Sequence, residues 1–158
     1  MRWKYFAVRS FMVRTRIEVT SAAYLAAAAS VLLLPLQVLI CGALAAAWHE
    51  ICHCLTLKLC RIPVAELKIG ILGASISTGP LTPKQEILCA AAGPIGSLSL
   101  LILIHFSPMI SIFGLIQGCF NLLPVYPLDG GRILRGIIEI LKEKSLAKND
   151  AWRYNSPD

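Results

Sequence analysis

The chain has 158 residues, of which 56% are apolar and 15% charged, against about 25% charged in an average globular domain. With a mean hydropathy of +0.68, this excludes an ordinary soluble globule and fits a polytopic membrane protein. The net charge of +6 does not indicate nucleic acid, because the basic residues flank apolar stretches and no polar domain carries them.

Residues 1–18 are basic with scattered aromatics (Trp3, Tyr5, Phe6, Phe11) and read as an interfacial N-terminal segment. Residues 19–57 are apolar, broken by Pro35 and by a short polar cluster. That is too long for one span of roughly 20 residues, so a tight helical hairpin turning near Pro35 is expected. Ala45-Ala46-Ala47 resembles a signal-peptide cleavage site, but the apolar region far exceeds the usual length of about 7–15 residues. Residues 62–83 mix β-branched and small side chains with Gly70, Gly73 and Gly79, closed by Pro80 and Pro83. They predict a short β-hairpin or re-entrant loop.

A third span is expected from Glu86 to Ile104 and a fourth from Met109 to Leu123. Residues 86–131 thus hold both spans and an irregular segment after them. From Arg132 onward, Ile133, Ile137, Ile140 and Leu141 recur at helical spacing between charged residues, which suits an amphipathic helix on the membrane surface. The last ten residues are polar and are expected to fray. The fold class is therefore all-α and polytopic, one domain over 1–158, with about four transmembrane helices, a small β insertion and a C-terminal amphipathic tail over 132–158. In that arrangement neither outer connection carries Lys or Arg, and all 15 basic residues fall on one face. The positive-inside rule makes that face the cytoplasm, with both termini there.

The polar cluster in the second span is His49-Glu50-Ile51-Cys52-His53. Residues four apart share a helix face, so two imidazoles can hold one zinc ion with a carboxylate beside it. Ionisable groups at membrane depth are costly and mark function by default. His49 lies about two and a half turns before Lys58, roughly 13 Å inside the cytoplasmic boundary. A catalytic zinc site needs a third protein ligand. Glu18, Glu66, Glu86, Glu139, Glu143, Asp150 and Asp158 lie at flanks, in the hairpin, at a helix start or in the tail. Asp129 remains, in an Asn121-to-Arg132 segment broken by Pro124 and Pro127 and opened by Gly130-Gly131. Irregular backbone at membrane depth is tolerated only against protein or a wet cavity, so this segment is a candidate for the opposite wall of the site.

H-E-x-x-H followed about 75 residues later by N-x-x-P-x-x-P-L-D-G-G-R, with Ala92-Gly93-Pro94-Ile95-Gly96-Ser97 between, resembles the site-2 protease family (M50) of intramembrane zinc metalloproteases. Its nearest likeness is the bacterial sporulation branch that processes a pro-sigma factor. The resemblance covers roughly residues 20–140. It implies one Zn2+ per chain held by His49, His53 and Asp129, with Glu50 as general base. It implies that Asn121 holds the substrate backbone or stabilises the oxyanion. It further implies a membrane-anchored protein substrate cleaved in or near its transmembrane segment, a lipid bilayer setting in a bacterial cell membrane, a regulatory membrane protein as partner and no nucleic acid. Segment 64–77 resembles the family's membrane-associated β element, whose exposed edge would capture a substrate unwound into a strand.

Two departures stand out. Cys52 occupies a position where the family usually has Gly, so its thiol either packs or touches the metal. The second is length: the sporulation-type relatives carry additional C-terminal spans, and against them this sequence is expected to represent the catalytic core. Cys41, Cys52, Cys54, Cys60, Cys89 and Cys119 match no disulfide framework and read as small hydrophobes. Gly93, Gly96 and Ser97 are assigned to close helix packing, and His105, Tyr126 and Trp48 to interfacial or packing roles. The alternatives are a catalytically silent relative serving as a membrane scaffold or chaperone, and a zinc transporter. Retention of Glu50 weighs against the first, and the missing internal repeats against the second.

Overall fold

The computed structural model describes residues 16–70 and 73–155. In chain order it comprises β1 (Arg16–Val19), α1 (Ser21–Leu33), α2 (Leu36–Leu59), β2 (Val64–Gly70), β3 (Gly73–Thr78), α3 (Pro83–Ser99), a 3-10 turn (Leu100–Leu103), α4 (Pro108–Asn121) and α5 (Asp129–Asn155). Residues 1–15 of the expected interfacial segment lie outside the described residues.

Thr20 caps α1, its hydroxyl accepting from the Ala23 amide. The chain reverses at Leu34-Pro35, and Pro35 stands at the N-cap of α2. The break between the two helices falls at the proline, where the turn was expected. α2 buries Cys41, Ala45, His49, His53 and Leu57, a stripe at four-residue intervals along one face. The opposite face exposes Leu36, Ile40, Leu44, Ile51, Leu55 and Leu59. Small and polar residues inside with large aliphatics outside is the pattern of a helix facing lipid.

Thr82 and Gln85 form a complete capping box at the start of α3, with Pro83 in the first turn. α4 reaches α3 through Ser111, Gly114 and Gly118, its three buried residues. A Cβ on Gly114 would lie 2.6 Å from the Ser97 carbonyl oxygen, so only glycine permits that crossing. Among the described residues, two helices, Leu36–Leu59 and Pro83–Leu103, are long and apolar enough to cross a membrane, while Ser21–Leu33 and Pro108–Asn121 are shorter apolar helices.

Three expectations are corrected. Residues 16–19, for which no strand was expected, form β1, which pairs in parallel with β2 in the register Arg16↔Glu66 to Val19↔Ile69. The β element is therefore a three-stranded sheet ordered β1-β2-β3, in which the whole α1–α2 hairpin is the crossover that a parallel pair requires. The β2–β3 hairpin itself is antiparallel as anticipated, with an irregularity between Val64 and Glu66. Asp129 does not lie in unwound chain: it is the first residue of α5. That helix runs to Asn155, so the polar end through that residue is helical where fraying was expected.

Candidate active site

His49 and His53 occupy successive turns of the buried stripe of α2 and are 3% and 7% exposed. Their Nε2 atoms lie 3.1 Å apart. Asp129, also buried, brings its Oδ2 to 3.1 Å from Nε2 of His53 and 3.2 Å from Nε2 of His49. Sequence reasoning anticipated this trio, and the fold assembles it from the middle of α2 and the first residue of α5. Among the described residues, His49, His53 and Asp129 form the one cluster of histidine, cysteine and carboxylate side chains able to hold a metal ion.

The chain reaches this geometry through glycine. A Cβ on Gly131 would lie 2.6 Å from the Tyr126 amide nitrogen, and one on Gly130 2.5 Å from the Leu123 carbonyl oxygen. The first turn of α5 thus closes directly on the backbone of residues 122–126, which places Asp129 opposite α2. A carboxylate in the first turn of a helix is also favoured by the backbone dipole.

α3 orients both imidazoles without supplying a ligand atom. Nδ1 of His53 donates to the Cys89 carbonyl oxygen at 2.7 Å. Because a carbonyl only accepts, the neutral ring then has its lone pair on Nε2. Nδ1 of His49 lies 2.8 Å from the hydroxyl of the fully buried Ser97, and donation there likewise frees Nε2. Gly93 forms the floor: a Cβ at that position would overlap the His53 ring and lie 2.7 Å from Cε1 of His49. Gly93 and Ser97 therefore do more than the close packing assigned to them. Their signal was the G-P-x-x-S run itself, whose glycine and serine fall on one helical face.

With both rings protonated on Nδ1, two imidazole lone pairs and a carboxylate oxygen face one another at 3.1–3.2 Å. Without a cation between them that arrangement is electrostatically unfavourable. The residues fit a divalent ion: ligand atoms at zinc's usual bond lengths of about 2.0–2.1 Å stand roughly 3.3 Å apart on a tetrahedral face. The outer partners of the two histidines match what metal-bound imidazoles require.

A cavity of about 640 Å³ opens over the trio and is also lined by Glu50, Asn121 and Arg132. Glu50 follows His49 on α2, and Asn121 is the last residue of α4. Ile76, Ser77 and Thr78, at the end of β3, border the same cavity. Cys52 lies elsewhere. Its side chain fills the notch over Gly96, where an added Cβ would stand 2.8 Å from Cys52 Cβ. Cys52 is thus accommodated by a glycine on the facing helix. Trp48 packs beside it, its indole N–H donating to the Gly96 carbonyl oxygen at 2.9 Å. His105 is exposed beyond the end of α3.

Residues 96–154 match Peptidase family M50, a stretch that includes Ser97, Asn121 and Asp129. A zinc metalloprotease of Methanocaldococcus jannaschii is 29% identical over 119 residues, covering 64% of this chain and 35% of that protein. Rip3 of Mycobacterium tuberculosis, named as a candidate zinc metalloprotease, is 29% identical over 109 residues, covering 57% of this chain and 28% of its own length. The chain thus spans about a third of the length of these relatives. The solved structure of a site-2 protease from Methanocaldococcus jannaschii superposes with a TM-score of 0.67 at 24% identity, covering 91% of this chain and 79% of that one. Its fold is the fold found here. The fold shared with that site-2 protease brings His49, His53 and Asp129 together as a cluster able to hold a metal ion. The similarity to Peptidase family M50 is carried by residues 96–154, and the likeness to the site-2 protease extends to the fold.

Proposed function

We propose that the protein is a zinc-dependent endopeptidase that cleaves a membrane-tethered protein in or near its transmembrane segment. The observation that carries this reading is the buried triangle of His49, His53 and Asp129 opening on one cavity with Glu50 and Asn121. His49, His53 and Asp129 would hold a single zinc ion. When bound, the ion polarises the scissile carbonyl and brings the pKa of water down towards 7.

The protein's own groups do the rest. Glu50 takes a proton from the attacking water as its oxygen bonds to the carbonyl carbon. The same carboxyl returns that proton to the amide nitrogen as the C–N bond breaks. The side-chain amide of Asn121 donates towards the oxygen on which charge develops, a contribution often worth about 10²–10³ in rate. Ser97 and the Cys89 carbonyl keep the two imidazoles in the required tautomer.

Substrate enters as an extended strand. β3 is one of the two edge strands of the sheet among the described strands, and its last residues border the cavity. A transmembrane helix unwound locally pairs with that edge and delivers one peptide bond to the site. The two helical hairpins, α1–α2 and α3–α4, give a multi-pass arrangement in a bacterial cell membrane. Both termini and the basic flanks are then on the cytoplasmic side.

Comparison of new protein N-termini in membranes of cells expressing the wild type or Glu50→Gln tests this reading. Termini within or beside transmembrane segments, present with the wild type and absent with Glu50→Gln, are the expected result. Identical termini in the two membranes would favour a silent scaffold instead.

A further inference from the structure

Glu86 is a buried carboxylate for which the proposed chemistry has no use. It lies in the first turn of α3, where a helix N-terminus favours negative charge, but an exposed side chain would serve that purpose equally. Its side chain is instead 11% exposed and faces α5. Nε of Arg132 lies 3.9 Å from Oε1 of Glu86, and Nη1 of the same guanidinium lies 3.8 Å from Oδ1 of Asp129. Nη2 of Arg135 lies 3.4 Å from Oε2 of Glu86. α5 is held close here because Gly136 sits against α3, where an added Cβ would lie 2.7 Å from Cγ1 of Ile87.

We propose that Glu86 is a positioning residue for the metal site, holding the Asp129 carboxylate in register through Arg132. This rests on the reading that His49, His53 and Asp129 bind zinc. Asp129 has two oxygens with separate partners: Oδ2 faces the histidines and Oδ1 faces Arg132. Arg132 stands at ion-pair distance from both carboxylates, so its charge biases the rotation of each. Arg132 draws Oδ1 aside and leaves Oδ2 alone to point at the imidazoles. Glu86 prevents Arg132 from closing fully on Asp129 and pulling it off the site. α3 already orients His49 through Ser97 and His53 through the Cys89 carbonyl. Through Glu86 it registers the third ligand as well, so a helix that donates no ligand sets the geometry of all three.

The competing explanation is a salt bridge that only fastens α5 to α3. The two are separated by zinc affinity, measured by chelator competition on detergent-purified protein, together with the absorption spectrum of the cobalt-loaded form. The variants are Glu86→Gln, Arg132→Gln, the double variant and Arg132→Lys, with helicity and metal-free thermal stability recorded for each. Loss of an outer-shell partner costs about 10–100-fold in metal affinity, and each single glutamine variant is expected to fall in that range with an altered cobalt spectrum. The double variant is expected to be no weaker than the weaker single, because both act through one chain of contacts. Arg132→Lys, which keeps the charge on a point donor, is expected to recover part of the loss.

Wild-type zinc affinity in Glu86→Gln would overturn the proposal, as would losses that multiply in the double variant. If Glu86→Gln does not fold, Arg132→Lys decides, with reduced affinity supporting the anchor and wild-type affinity overturning it. A wild-type protein that takes up no zinc overturns the metal reading and the anchor together. Normal zinc in the wild type with an indifferent Glu86→Gln overturns the anchor alone.

Discussion

Nε2 of His53 and Oδ2 of Asp129 meet at 3.1 Å across 76 residues of sequence. Both are acceptors when the histidine donates from Nδ1 to the Cys89 carbonyl. A buried pair of this kind is held by the folds around it and is satisfied by a cation. Asp129→Ala removes one corner of the triangle and should reduce zinc affinity by more than the 10–100-fold typical of outer-shell losses. Competition with a chelator of known affinity measures it directly.

Gly93 is the tightest point of the site. Gly93→Ala places a methyl group into the His53 ring and against His49, so the imidazoles must move although no ligand has changed. Zinc content per chain should fall sharply in this variant. Gly42 provides the control, since a Cβ there meets Phe113 at an ordinary 3.6 Å, and Gly42→Ala should retain its metal.

Ser97→Ala removes the partner of Nδ1 of His49 in a fully buried setting. The ring loses both its orientation and a hydrogen bond that water cannot easily replace. A 10–100-fold loss in zinc affinity is expected, with Ser97→Thr, which keeps a hydroxyl, less affected. Equal affinities in Ser97→Ala and the wild type would show that the hydroxyl does not orient His49.

The β3 edge makes a different prediction, about substrate and not about metal. Ser77→Pro at the cavity border removes a backbone N–H and disturbs strand pairing. Cleavage should drop while zinc content stays at the wild-type level. Cleavage that survived proline replacements at Ser77 and Thr78 would rule out capture by strand addition.

What the sequence made legible follows from distance along the chain. His49, Glu50 and His53 lie on one helix, so their spacing alone puts both imidazoles on a common face. Asp129 was accessible by exclusion and by the family likeness, because few acidic residues compete for the role. The partners of the histidines were not legible as such. Cys89 acts through its carbonyl, which any residue has, and Ser97 and Gly93 are also what simple helix packing would select. β1 is four residues long and pairs with a strand some fifty residues away, too short a pattern to stand out in a basic segment. The N-terminus of α5 was placed too late because Gly130-Gly131 reads as a turn. Here it permits a close approach inside a helix. The role of Glu86 depends on contacts between α3 and α5, which no local pattern encodes.

The most direct measurement is zinc per chain in detergent-purified protein, with wild type beside Asp129→Ala and His53→Ala. About one zinc in the wild type and much less in both variants is the expected result for a three-ligand site. No zinc in a folded wild type supplied with metal, or equal zinc in all three proteins, would contradict it.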